Sequence, residues 1–233
     1  LVVAAAIGVL AGRLAPVVAD ALEDVAQLRA IVERLGEEAG GDTVATFMTA
    51  FAGIVGVLAS AAAMQGVLRL RHEEQAHGEL VLATIVRRTG WLGAHVLLGL
   101  LTGLAVLAVF TLVAGASLAA GGDDRWSQLV AIATTHLPLV AVYLAAAAAL
   151  VAFLPWTVAW LGWVLLIGLM LAGDFAPLLG ESWEWIENLS PFHWVANPLA
   201  ADPDWTGSWW LLGIAAALLA AAVVGFRRRD ALV

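Results

Sequence analysis

The sequence predicts an all-α polytopic membrane protein, on three observations. Of its 233 residues 62% are hydrophobic and only 13% are charged, about half the charge of a soluble domain. Several uninterrupted apolar stretches reach the roughly 20 residues that carry a helix across about 30 Å of hydrocarbon. Small residues crowd those stretches, as in "AAAM", "GLLTGLA", "LAAAAAL" and "GIAAALLAAAVVG", and small residues let helices approach closely in lipid.

Six segments are predicted at membrane depth. The first is partial, Leu1 to Gly12. "LVVAAAIGVLAG" has no methionine and no basic leader, so it reads as the outer end of a span that begins earlier in a longer polypeptide. Residues 13–42 follow as an outer amphipathic helix. Val18, Ala21, Val25, Leu28, Val32 and Leu35 recur at alternating three and four residues, a narrow apolar seam. Pro16 suits its first turn and Gly40-Gly41 its end. Asp20, Glu23 and Asp24 lie early, Arg29 and Arg34 late, as the helix dipole prefers. The seam packs on neighbouring spans or serves as a dimer or lid contact.

The second span covers 43–68, the third 91–118, the fourth 128–154, the fifth 156–172 and the sixth 209–226. A charged element, 69–90, separates spans two and three, and a tail, 227–233, closes the chain. Residues 173–208 are too apolar and aromatic for a free loop and too broken by proline and glycine for a span. They predict short re-entrant or interfacial helices on the outer face. Trp183, Trp185, Phe192 and Trp194 are candidates for an outer gate, or for an aromatic belt at headgroup level.

Arginine placement sets the orientation. Seven of the eleven arginines lie in 69–90 and the tail, which share one side by parity. The positive-inside rule makes that side cytoplasmic. It carries a net +3, the other side −11.

Several chemistries are excluded. There is no cysteine and no lysine, so the chain holds no thiol chemistry and no lysine-bearing phosphate loop. It has no GxSxG elbow for acyl transfer. His72 and His77 in "HEEQAH" are five residues apart, about 140° around a helix, whereas paired zinc ligands need four. No metal site, no cofactor in this chain and no catalytic residue follow. His136, in "ATTHLPLV", is the one ionisable group near mid-span. With Thr134 and Thr135 it is a candidate for a translocation path or proton relay. A neutral histidine bonded to a threonine or to a carbonyl freed near Pro138 is the plain packing alternative.

Residues 69–90 read as an amphipathic docking element. "RLRHEEQAH" continues span two into water, Gly78 allows a bend, and "ELVLATIV" forms a short apolar helix ending at Arg87 and Arg88. Apolar residues fill a groove and charges fix register.

The stretch "RLRHEEQAHGELVLATIVRRTGWLGAH" resembles the first cytoplasmic loop of type-2 ABC transporter permeases, nearest the actinobacterial exporters of polyketide antibiotics of tetronasin-resistance type. That loop reads R-x-E-E, a glycine, a glutamate, then L-A-T-P-V-x-R. Arg71, Glu73, Glu74, Glu79, Leu82, Ala83, Thr84, Val86 and Arg87 or Arg88 match. Ile85 stands in place of the proline, and the interval from Glu74 to Glu79 is one residue short. "NLSPFHWVANPLAADPDW" and "GFRRRDAL" are similar to the family's closing segments.

The resemblance implies a six-span type-2 ABC bundle in a bacterial inner membrane, the second half of a permease. The first half would lie in the same polypeptide or be supplied by a second permease copy. A dimer of ATP-binding subunits would bind ATP and Mg and grip 69–90 as a coupling helix. Membrane lipid and a hydrophobic substrate would be its other partners, with no nucleic acid. The implied function is export of antibiotics, drugs or lipids. The alternatives are an intramembrane enzyme centred on His136 and an assembly subunit without transport.

Overall fold

The structure, a computed structural model, describes residues 1–23, 42–82, 88–179, 183–200 and 202–228. Among them every regular element is a helix. In chain order these are α1 (Val2–Glu23), α2 (Thr43–Leu82), α3 (Arg88–Ala120), α4 (Trp126–Thr135), α5 (Leu137–Phe153), α6 (Val158–Leu179), α7 (Glu184–Leu189) and α8 (Thr206–Arg228). Five stretches are long and apolar enough to cross a membrane: Val2–Ala19, Thr43–Arg71, Thr89–Ala120, Trp126–Phe153 and Thr206–Arg228. The predicted fifth span lies in α6, whose apolar part, Trp160–Gly173, is only about 21 Å long at 1.5 Å per residue.

The described chain forms two compact units, with α2 and α3 contributing to both. The first comprises Leu1–Leu58, Ala105–Leu137 and Ala196–Trp205. Here α1 lies directly on α3. A Cβ at Gly8 would stand 3.1 Å from the Phe110 carbonyl oxygen, and one at Gly12 2.5 Å from Ser117 Cβ. Four residues apart, these glycines form the flat face that close helix contact in lipid uses. Asp42 caps α2: its Oδ1 accepts the Ala45 N–H at 3.2 Å, satisfying one of the donors a helix start leaves open. α3 ends in a Schellman turn. Gly122 has φ +89°, its N–H reaches the Ala119 carbonyl, and the Asp123 N–H reaches that of Leu118.

The second unit comprises Ala59–Leu104, Pro138–Val195 and Thr206–Val233. Its centre is α5, apolar all round and buried along most of its length, as a core helix should be. Val140 and Leu144 of α5 reach the surface of α3 at Gly103 and Gly99. Val142 and Ala145 pack on Leu211 and Ala215 of α8, and the Phe153 ring covers Gly225. Early residues therefore meet early ones and late meet late, so α5 and α8 run parallel. At the same glycines, a Cβ at Gly66 of α2 would fall 2.4 Å from Gly99 Cα, so α2 and α3 touch backbone to backbone.

Two expectations are corrected. Pro16 does not open a separate helix after Gly12. It lies inside α1, which is continuous from Val2 to Glu23; a proline missing one N–H is tolerated within an apolar helix that has close neighbours. The fourth segment is interrupted at His136, between α4 and α5. The backbone also stays helical through Gly78, so "ELV" continues α2 rather than starting a new helix. Of the outer seam, Val25, Leu28, Val32 and Leu35 lie outside the described residues.

Candidate functional site

The candidate residues fall into three groups. The first stands where α2 leaves its apolar stretch, within the second unit. Because the helix does not stop at Arg71, its last turns carry the charged sequence rigidly away from the span. Arg71 is half-buried with its guanidinium 5.4 Å above the ring of Trp156, a cation–π distance. Glu73, itself exposed, reaches to α3: its Oε2 lies 3.1 Å from Nε2 of His95. His95 is buried, its Nδ1 is 3.1 Å from the Trp91 carbonyl oxygen, and its ring meets Trp91 edge-on at 5.8 Å. Both imidazole nitrogens thus face oxygens, and Glu73 ties α2 to α3. Glu74, Glu79 and Leu82 lie on the helical backbone of α2, and Arg88 begins α3. Their side chains, with Thr84 and Arg87 altogether, lie outside the described residues.

The second group sits at the break between α4 and α5, in the first unit. Pro138 has no N–H to give, and the His136 N–H turns to the Ala133 carbonyl at 3.3 Å. The Ile132 carbonyl loses the partner a regular helix would supply. Two side chains replace it: Thr135 Oγ1 donates to it at 2.8 Å, and His136 Nδ1 lies 2.9 Å from it. His136 is 5% exposed and its ring lies against Gly56 of α2, where a Cβ would be 2.3 Å from Cδ2. Thr134 is turned outward and donates to the Ala131 carbonyl at 2.7 Å. Thr135 and His136 therefore converge, and Thr134 does not join them. Their hydrogen bonds are those of a mended helix break.

The third group is the segment after α6, in the second unit. α7 is a short helix followed by turns at 191–194. Trp183 and Trp185 are exposed, whereas Phe192 is partly buried against Tyr143 of α5, ring centroids 5.8 Å apart. Trp194 Nε1 donates to the Asn188 carbonyl at 2.9 Å, and its own carbonyl oxygen rests on Gly207. The Glu187 carboxylate lies 2.9 Å from His193 Nδ1. Phe192 and Trp194 are thus built into the fold, while the other two tryptophans face outward. No group of three or more metal-ligating side chains occurs among the described residues.

Against this geometry, residues 1–227 match the family described as the C-terminal domain of multidrug efflux system permease Rv1217c. The chain belongs to that family. It is also 33% identical over 233 residues to the multidrug efflux system permease protein Rv1217c of Mycobacterium tuberculosis (strain ATCC 25618 / H37Rv), an alignment covering 96% of this chain. The chain spans 41% of that relative's length. It is accordingly a multi-pass helical domain of efflux-permease type.

Two contacts of this permease domain were not foreseen from its sequence. His95 stands near the start of the third predicted span, but nothing in the residue spacing marks it as the partner of Glu73. Arg125 forms an ion pair with Asp42, 83 residues away, and another with Asp123 at 2.6 Å. Burial alone would lower the Arg125 pKa, but the two carboxylates outweigh it and hold the guanidinium above its ordinary value. Arg125→Ala should destabilise the purified domain by about 1 kcal/mol, since the pair is only partly buried. The loss should shrink at high salt, measured as thermal melting at two salt concentrations.

Proposed function

We propose that the chain is the second, membrane-spanning half of the permease of an ATP-driven ABC exporter of hydrophobic or amphipathic compounds, such as drugs, antibiotics or lipids. The observation that carries this reading is the family match over residues 1–227. The unbroken course of α2 from its apolar stretch into the charged residues 69–82 supports it. In this reading a dimer of ATP-binding subunits binds ATP and Mg, and residues 69–90 dock into it as the coupling helix. Glu73, held by His95, passes movement of that helix to α3. The other half of the pathway comes from an N-terminal half of the same permease or from a second copy.

The arginine distribution supports a bacterial inner membrane with 69–90 and the C-terminus in the cytoplasm. α6 with its neighbours completes six spans of type-2 arrangement. The Trp194–Gly207 and Phe192–Tyr143 contacts support a re-entrant outer segment acting as a gate. Cargo of the polyketide-antibiotic kind is the nearest class by sequence resemblance.

Glu73→Ala and Glu74→Ala together test the coupling role. The expected result is a complex that still assembles and hydrolyses ATP, with transport reduced about tenfold or more, the scale of a lost coupling free energy. Unchanged export would remove the docking argument. Failure to copurify with any ATP-binding subunit would remove the ABC reading itself.

A further inference from the structure

We infer that the Tyr143 hydroxyl is a hydrogen-bonding anchor for cargo, and that the class it selects is an amphipathic molecule presenting a carbonyl, ether or hydroxyl oxygen. The inference rests on the export reading above and adds a specificity-determining residue to it.

Tyr143 is the single tyrosine of the chain. It is 3% exposed and lies within the candidate span Trp126–Phe153. Its hydroxyl is buried with no hydrogen-bond partner among the described residues. An unpaired hydroxyl in an apolar interior is destabilising, and phenylalanine would fill the same volume without that penalty. The Ser60 and Ser208 hydroxyls are likewise buried without a partner. A serine, however, can rotate onto a carbonyl of its own helix, whereas a phenol is carried too far from its backbone to do so. Tyr143 is therefore the group that needs something from outside the helix.

Its position says what kind of thing. At about 100° per residue, Tyr143 lies about 80° round α5 from the α3-facing line of Val140 and Leu144, and about 130° from the α8-facing line of Val142 and Ala145. In that third direction it meets Phe192. The segment bearing Phe192 is held from elsewhere. Ser190 is wholly buried, its Oγ accepts the Phe192 N–H at 3.3 Å, and a Cβ at Gly173 of α6 would be 2.6 Å from that Oγ. At its far end the Trp194 carbonyl sits on Gly207. Tyr143 thus stands at the contact between α5 and a separately anchored aromatic segment, where apolar rings surround one unpaired polar atom. Small-molecule sites have that composition. Buried donors are left unpaired more rarely than acceptors are left under-used, so the matching cargo group is an oxygen acceptor.

The test uses the intact permease with its ATP-binding partner and two hydrophobic probes. Erythromycin is rich in carbonyl, ether and hydroxyl oxygens; tetraphenylphosphonium has no hydrogen-bond acceptor. With Tyr143→Phe, the KM for erythromycin efflux should rise about 2- to 10-fold, the scale of one neutral hydrogen bond, while tetraphenylphosphonium efflux stays the same. In thermal melts erythromycin should stabilise wild type more than the variant, whose cargo-free melting temperature should be equal or higher. Equal erythromycin kinetics in both proteins would overturn the inference. So would a parallel fall for both probes with a lowered cargo-free melting temperature, which would make the hydroxyl a structural contact to the rest of the permease. Export of neither probe by wild type would instead count against the export reading from which the inference starts.

Discussion

Gly99→Leu is expected to destabilise the folded bundle severely. A Cβ at this position would stand 2.5 Å from the Ala63 carbonyl oxygen and 2.7 Å from Leu144 Cδ1. The reciprocal position is as tight: a Cβ at Gly66 would fall 2.4 Å from Gly99 Cα and 2.8 Å from its nitrogen. Backbone atoms cannot rotate aside as a side chain can, so α2 and α3 must separate. In lipid, close van der Waals contact is a main attraction between helices, and separating this pair forfeits it along the whole crossing. The cost is about 3 kcal/mol or more, at the upper end for overpacked sites, against a total stability of about 5–15 kcal/mol. The measurement is the yield of monodisperse protein in detergent, with its melting temperature. Gly93→Leu is the control on the same helix. Gly93 is exposed with nothing within 4 Å of its Cβ position, so that variant should behave like wild type. Equal yields for the two leucine variants would refute the backbone contact.

Gly56→Leu should also be strongly destabilising, by about 2–3 kcal/mol, but for a reason that permits rescue. What a Cβ meets there is the His136 ring, at 2.3 Å from Cδ2, not a backbone. His136→Ala alone removes one of two side-chain contacts to the Ile132 carbonyl and should cost about 1 kcal/mol, since the Thr135 hydroxyl still holds that oxygen. Combined, Gly56→Leu and His136→Ala should be more stable than the sum of the single losses by 1 kcal/mol or more, a coupling typical of residues in contact. Additive losses would show that the ring does not lie on Gly56. The double variant also separates two functions. An export permease with a refilled joint should still transport. An enzyme centred on His136 would be folded and inactive.

The spans were readable because hydrocarbon imposes length and composition on any helix that crosses it, and the runs around Thr43–Leu68, Trp91–Leu118 and Trp209–Phe226 meet both demands. The charged run from Arg69 was readable for the same reason: nothing in a bilayer explains it. Pro16 was misread because proline favours a helix start in water, whereas an apolar helix with close neighbours can hold it inside. The break at His136 was in plain view as Thr-Thr-His-Leu-Pro, yet proline and histidine in one turn do not say which groups satisfy a carbonyl freed there. Geometry decided it by giving the Ile132 carbonyl two side-chain partners. The pairs Glu73–His95, Arg125–Asp42 and Gly66–Gly99 were not readable at all. Each member could be recognised as charged or small, but partnership depends on which helix faces meet. That is settled by packing across the fold, not by spacing along the chain.

The joint between α4 and α5 has a consequence for the cell that carries it. A carbonyl left open in the middle of a span would draw a water molecule, and a file of such waters would short-circuit the electrochemical gradient. A hydroxyl and an imidazole from the adjoining residues instead occupy the Ile132 oxygen, so the break offers no open acceptor there to such a water.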